Sequence, residues 1–114
     1  MIKVDSSDPD VCVVVPEPER LTAANATAFK DEMVALVESG RARFVIDMTQ
    51  IAFVDSSGLG ALVGVLKRVG NKGEIVVCGL GDSVRQMFRI TRMDRVFAAY
   101  PNRAAAIAAL KDTL

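Results

Sequence analysis

The sequence predicts an α/β fold, with a mixed β-sheet of about five strands and about four helices packed on it. Short β-branched or continuously apolar runs alternate along the chain with longer segments whose apolar residues recur at helical spacing. Because helices connect successive strands through most of the chain, the strands they join are expected to be parallel. Hydrophobic residues make up 51% of the 114 residues and aromatic residues only 5%, so the core must be largely aliphatic.

The predicted strands are short apolar runs bounded by turn residues. Residues 2–5 form a candidate edge strand, and residues 11–15 form a β-branched strand that ends at a proline-rich turn. Later strands are predicted at 44–46, 74–80 and 95–100. The continuous apolar run at 44–46 is typical of a strand buried on both faces.

The predicted helices are marked by capping residues and glycine stops. Thr22 is the expected N-cap of the first helix, which ends at Gly40. The second helix follows Ser56, and Asp82 and Asn102 are the expected caps of two shorter helices. We expect the alanine-rich last helix to cover one end of the sheet.

Charge and composition narrow the class of protein. Basic and acidic residues number 14 each, so nothing predicts a nucleic-acid face or a polybasic membrane anchor. No apolar run is long enough to span a bilayer, and the first ten residues lack a signal-peptide layout, so a cytoplasmic location is expected. The chain has no histidine, which removes the commonest general base and zinc ligand. This argues against an ordinary hydrolase. Cys12 and Cys78 lie in apolar runs without metal-ligand spacing and are expected to be buried, and no metal or cofactor is expected.

The segment 53–69, "FVDSSGLGALVGVLKRV", combines hydroxyls and glycines at the start of a predicted helix. Ser56 could cap that helix, or it could accept a phosphate, whose negative charge a helix N-terminus tolerates. A glycine inside a helix costs about 1 kcal/mol relative to alanine, so the glycines indicate either tight packing or a smooth docking surface. The helix face opposite the apolar stripe carries Ser57, Gly60, Ala61 and Gly64, and these residues are expected to contact a partner.

The region "FVIDMTQIAFVDSSGLGALVGVLKRVGNKGEIVVCGL" resembles the signature region of STAS domains, specifically the bacterial anti-sigma factor antagonists. The similarity runs from about Leu21 to beyond Val96 and implies a single STAS-like domain over residues 1–114. It also implies that Ser56 is a phosphoacceptor and that the chain is a substrate and binder without enzyme activity. The further partner contacts that the resemblance implies are Asp55, Gly58, Leu59 and Thr22. In that family's cycle the unphosphorylated domain binds an anti-sigma factor with serine kinase activity, and a serine phosphatase restores the hydroxyl. A dimer is compatible with the resemblance.

One short stretch departs from the family pattern. Family members often carry a "G-x-L-D" sequence before the first helix, and here Glu19 and Thr22 occupy the glycine and aspartate positions. Thr22 is expected to keep the capping role without the negative charge.

Other interpretations remain open at the level of sequence. A STAS domain can also be the accessory subunit of a lipid or anion transporter. Asp47 and Asp55 could hold Mg²⁺, or Asp47 could bond a loop while Asp55 orients the motif. The glycine turn at 79–83 is a weak signal for small-molecule binding. A run of four arginines is expected to be a solvated face, or else a contact for a partner or a phosphate; its members are Arg85, Arg89, Arg92 and Arg95.

Overall fold

Five strands form one mixed sheet in the computed structural model, which describes all 114 residues, Met1–Leu114. The strands are β1 (Ile2–Asp5), β2 (Cys12–Pro16), β3 (Arg20–Leu21), β4 (Arg43–Asp47), β5 (Phe53–Val54), β6 (Glu74–Cys78) and β7 (Ala99–Tyr100). The helices are α1 (Ala26–Glu38), α2 (Ser56–Val69), α3 (Asp82–Ile90) and α4 (Arg103–Lys111), with 3₁₀ turns at Gly70–Lys72 and Met93–Arg95.

The strand order of the main sheet is β1-β2-β4-β6-β7. Only β1 is antiparallel to its neighbour; the other pairs are parallel, as expected for strands joined by helices. The prediction of a mixed α/β fold with about five strands and four helices is therefore confirmed. The two-residue strands β3 and β5 pair with each other in a separate parallel ribbon, and this ribbon leads directly into α2.

The two faces of the sheet are covered unequally. Phe44 and Ile46 belong to the larger core with α1, α2 and α3, whereas Val45 between them belongs to a smaller core with α4. This is the period-two alternation of a strand buried on both sides. The expectation that the last helix covers one end of the sheet was wrong. Its apolar residues Ala106 and Leu110 pack on the otherwise uncovered face.

Several predicted boundaries differ in the structure. The helix expected to start at Thr22 begins at Ala26, and only two of the residues 95–100 form a strand. Residue Gly81, rather than Asp82, precedes α3. Gly40 ends the α1 turn at φ +102°, a conformation that favours glycine, and Asn102 caps α4 by accepting from the Ala105 amide at 2.9 Å. Those two predictions are confirmed.

Candidate functional site

Ser56 is the first residue of α2, and its side chain is exposed. The β5 strand leads into it, and the buried Val54 fixes where the strand ends. On α2 the buried residues Leu59, Leu62 and Val65 face the larger core, so the helix is held from the side opposite to solvent. The hydroxyl of Ser56 is therefore presented at a rigid helix terminus.

The helix cap is Asp55, not Ser56 as the sequence suggested. Its Oδ1 accepts a hydrogen bond from the Gly58 amide at 2.9 Å, and its Oδ2 accepts from the Ala23 amide at 3.1 Å. The Asp55 amide donates to the Leu21 carbonyl at 3.2 Å. Asp55 thus fastens the loop before α1 to the start of α2.

The charge of Asp55 is stabilised by these same contacts. Hydrogen bonding from the Gly58 amide is the main cause that lowers the pKa of the Asp55 carboxyl below its usual value, with the Ala23 amide also contributing. A carboxylate at an N-cap also complements the positive end of the helix. Ser56 therefore has a negative charge as its immediate neighbour.

The glycines of α2 have different surroundings. A Cβ at Gly58 would clash with the Leu21 carbonyl and would lie 3.0 Å from Cγ1 of Val54, so this glycine permits close packing of β3 against α2. A Cβ at Gly64 would lie 2.8 Å from the flexible end of Lys30. A Cβ at Gly60 would meet nothing within 4 Å. Packing inside the chain therefore explains Gly58 and leaves Gly60 unexplained.

A shallow groove of about 260 Å³ lies between α1 and α2 beside this helix start. Small side chains and a single lysine form its walls; the lining residues are Ala23, Ala26, Thr27, Lys30, Ser57, Gly60 and Ala61. We use "the α1–α2 surface" for the exposed members of this set, which are Ala23, Thr27, Lys30, Ser57 and Gly60.

The structure divides the residues that the sequence predicted for partner contact. Ser57 and Gly60 are exposed, and Asp55, Thr22 and Gly64 are half-buried. The other three, Gly58, Leu59 and Ala61, are buried in the packing of the chain itself. The burial of Ala61 corrects the expectation that it lies on the face away from the apolar stripe.

Sequence reasoning missed the α1 side of the groove. Thr27 and Lys30 are three residues apart in α1 and therefore lie on one helical face, and Ala23 lies in the turn just before that helix. That spacing was visible in the sequence. The groove was not, since it depends on how closely α1 and α2 pack.

Thr22 does not cap α1. Its Oγ accepts from the Ala24 amide at 3.3 Å, and its own amide donates to the Asn25 side chain at 3.0 Å. Both contacts belong to a tight turn that precedes the helix. Thr22 therefore shapes the loop that Asp55 holds.

The two aspartates considered for Mg²⁺ serve separate contacts. One oxygen of Asp47 accepts from Arg103 at 2.9 Å, and the other accepts from the Thr49 amide at 3.0 Å. Burial raises the pKa of Asp47, but the hydrogen bonds from Thr49 and Arg103 outweigh it, so the net pKa is lowered. No group of three or more histidine, cysteine or acidic residues is placed to hold a metal ion. Loop bonding by Asp47 and motif orientation by Asp55 account for both residues.

Another surface cavity, of about 500 Å³, lies away from this site. It sits where β2 and β4 begin, between the loop before β2 and the loop after α1, whereas Ser56 follows the opposite ends of those strands.

No helix is both long and apolar enough to cross a membrane.

Comparison with known proteins identifies the fold and a sequence relative. The family model of the STAS domain matches residues 3–106. The chain is 34% identical over 95 residues to BtrV of Bordetella bronchiseptica, named as a candidate anti-sigma factor antagonist, and the match covers 82% of each chain.

Solved structures share the same architecture. An anti-sigma factor antagonist from Mycobacterium paratuberculosis superposes with a TM-score of 0.87 at 24% identity, over 97% of this chain and 93% of the other. The murine anion transporter Slc26a9 contains a similar region, with a TM-score of 0.75 at 18% identity, over 90% of this chain and 18% of the transporter. At these identities the likeness shows the fold alone. The family match over most of the chain, together with the Bordetella relative, shows that this chain belongs to the STAS domain family.

Proposed function

We propose that this chain is an anti-sigma factor antagonist that works by partner switching. Its unphosphorylated form binds an anti-sigma factor with serine kinase activity through the α1–α2 surface, and phosphorylation of Ser56 releases that partner. The observation that carries the proposal is an exposed serine at a helix start, next to a groove that Gly60 leaves open. The 34% identity to BtrV, a candidate antagonist, supports the class of partner.

The fold is suited to survive phosphorylation at this position. Ser56 is exposed, so a phosphate would not have to enter the core. A phosphoserine adds about −1.5 to −2 charges at neutral pH, and the positive end of a helix favours negative charge. The neighbouring Asp55 carboxylate would repel this phosphate, but the buried face of α2 keeps the helix packed on the core.

Phosphorylation of Ser56 would, by contrast, prevent a partner from binding to the α1–α2 surface. Ser56 and Gly60 are four residues apart and therefore lie on one face of α2. A partner that fits closely over Gly60 would meet new bulk and charge one turn away, beside the existing charge of Asp55. Like charges placed against a desolvated interface strongly disfavour binding.

In this proposal the chain is a substrate and a binder, located in the cytoplasm. The kinase partner binds ATP and transfers the γ-phosphoryl group of that ATP to the Ser56 hydroxyl, with ADP as the leaving group. A separate serine phosphatase hydrolyses the phosphoserine and restores the binding form.

A transporter-accessory role is the second candidate, favoured by the structural likeness to a region of Slc26a9. That likeness covers 18% of the transporter and shows a shared fold. The sequence relative at 34% identity favours the antagonist role. Affinity capture distinguishes the two roles, since one predicts a serine kinase in the complex and the other a transporter permease.

Phosphosite mapping tests the proposal. The chain is incubated with ATP and a purified anti-sigma factor that has serine kinase activity, and the product is mapped by mass spectrometry. We expect one phosphate on Ser56, none on a Ser56→Ala variant, and unchanged incorporation in the matched control Ser57→Ala. Phosphate confined to Ser57, or no transfer at all, would contradict the proposal.

A further inference from the structure

A second exposed surface lies on α3 and the turn that follows it. Four arginines there are exposed, and none forms an ion pair with a carboxylate of this chain. Among them are Ile90, with 71% of its surface exposed, and Val96, with 44%. We use "the α3 surface" for these six residues, which are Arg85, Arg89, Ile90, Arg92, Arg95 and Val96.

The exposure of Ile90 and Val96 is unusual in this chain. Only four large hydrophobic residues are exposed; one of the others, Val4, lies on the edge strand β1, and Leu114 is the last residue of the chain. Single exposed apolar residues need no explanation, but two of them close in sequence to guanidinium groups that form no ion pair match the composition of protein interfaces. Arginine is enriched at the centres of such interfaces.

The backbone beneath the α3 surface is held by buried contacts. Val84 and Phe88 are each 1% exposed and hold α3 against the core, and the Phe88 ring lies 6.2 Å from that of Phe97. The chain turns after the helix at Arg92, with φ +64°, and Thr91 Oγ bonds the Met87 carbonyl at 2.7 Å. A surface fixed in advance loses little conformational entropy on binding.

The charges indicate the kind of partner. The segment 82–96 holds four arginines against Asp82 and Asp94, in a chain whose formal net charge is zero. It contains no lysine. Guanidinium groups bind carboxylates in a bidentate manner, and the exposed Ile90 and Val96 beside them suit the apolar side chains of an acidic protein segment.

We infer that the α3 surface docks an acidic protein segment that carries apolar side chains, with carboxylates on the arginines and an apolar contact on Ile90. It borders the Ser56 region, since Ser83 at the start of α3 donates to the Ala52 carbonyl at 3.1 Å, just before β5. Docking here does not depend on the phosphorylation state of Ser56.

The test uses a synthetic helical peptide with glutamates and leucines on one face. In the wild type we expect amide chemical-shift changes confined to residues 82–96. The double variant Arg85→Glu/Arg89→Glu, and separately Ile90→Ser, should weaken binding by about tenfold. The matched control Lys67→Glu/Lys72→Glu makes the same change in net charge on other exposed residues and should stay within about twofold of wild type.

Three results would overturn the inference. They are shift changes outside residues 82–96 or none, equal weakening by the lysine control, and binding to phosphatidylglycerol vesicles in place of the peptide. Ser56→Asp should leave peptide binding unchanged. If Ser56→Asp kept both its anti-sigma factor binding and its peptide binding, that result would count against the proposed function and not against the α3 surface.

Discussion

At the scale of single residues, the motif at the start of α2 contains residues of two kinds, those that stabilise the fold and those that are exposed for a partner. Asp55 and Gly58 are structural, because the carboxylate bonds two backbone amides and the glycine admits the Leu21 carbonyl. Ser56 and Gly60 are exposed and have no such task within the chain. Asp55 and Gly58 therefore stabilise the start of the helix, while the Ser56 hydroxyl and the backbone of Gly60 remain exposed at the surface.

Two glycine substitutions test this separation. Gly58→Ala should lower the free energy of unfolding by about 1–3 kcal/mol, because the new methyl group overpacks the contact with β3. Gly60→Ala should raise it by up to about 1 kcal/mol, because alanine favours the helix and meets no neighbour. Urea denaturation measures both, and equal effects at the two positions would contradict the assignment.

The Asp55 clip predicts a specific pH dependence. Because the folded-state pKa lies below the usual 3.8, the stabilisation is present above pH 3.8 and is lost as pH falls through the folded-state value. Asp55→Asn keeps one acceptor oxygen and loses the charge, so it should be less stable than wild type at pH 7. The difference should shrink in acid, and urea denaturation at both pH values measures it. A difference that is constant with pH would show that the charge contributes nothing.

At the scale of elements, α4 differs from the other helices. It covers its face of the sheet alone and has only two buried residues, Ala106 and Leu110. Ion pairs hold both of its ends. Arg103 pairs with Asp47 at 2.9 Å and with Asp5 at 3.2 Å, and Lys111 pairs with Asp8 at 2.8 Å. Charge thus supplements a small apolar contact.

Removing the charge at the start of α4 should loosen it. The Asp47 side chain is 12% exposed, so Arg103→Met leaves one of its oxygens short of a partner and should cost about 1–3 kcal/mol. Backbone amides of α4 should also exchange faster with solvent. The control Arg68→Met loses only an exposed pair with Glu38 and should cost less than about 1 kcal/mol. Equal losses of stability would contradict the proposed role of Arg103.

At the scale of the whole molecule, hydrophobic patterning predicted the sheet and the helices, because apolar period is a local property of the sequence. The position of α4 was not predictable in this way. Its row of alanines predicts that one face of α4 packs against another element. Which face of the sheet it packs on depends on Val11, Val13 and Val45, which come from distant parts of the chain. The cap at Asp55 was missed for a similar reason, since Ser56 is an equally good capping residue in isolation.

The site was partly predictable. Ser56 and Gly60 follow from the motif, and the structure places both at the surface. The α1 wall of the groove required the packed pair of helices, because Lys30 reaches Gly64 only in three dimensions. The glycines could not be sorted from sequence into structural and exposed ones, since helix propensity penalises all of them equally.

The most direct test of the central claim is the affinity of the wild type and two Ser56 variants for the anti-sigma factor kinase, measured by isothermal titration calorimetry with melting temperatures determined alongside. We predict that Ser56→Ala binds like wild type and that Ser56→Asp binds at least about tenfold more weakly. All three should melt within a few degrees of one another. A Ser56→Asp variant that bound the kinase as tightly as wild type would contradict the account, as would one that lost binding only because it unfolded.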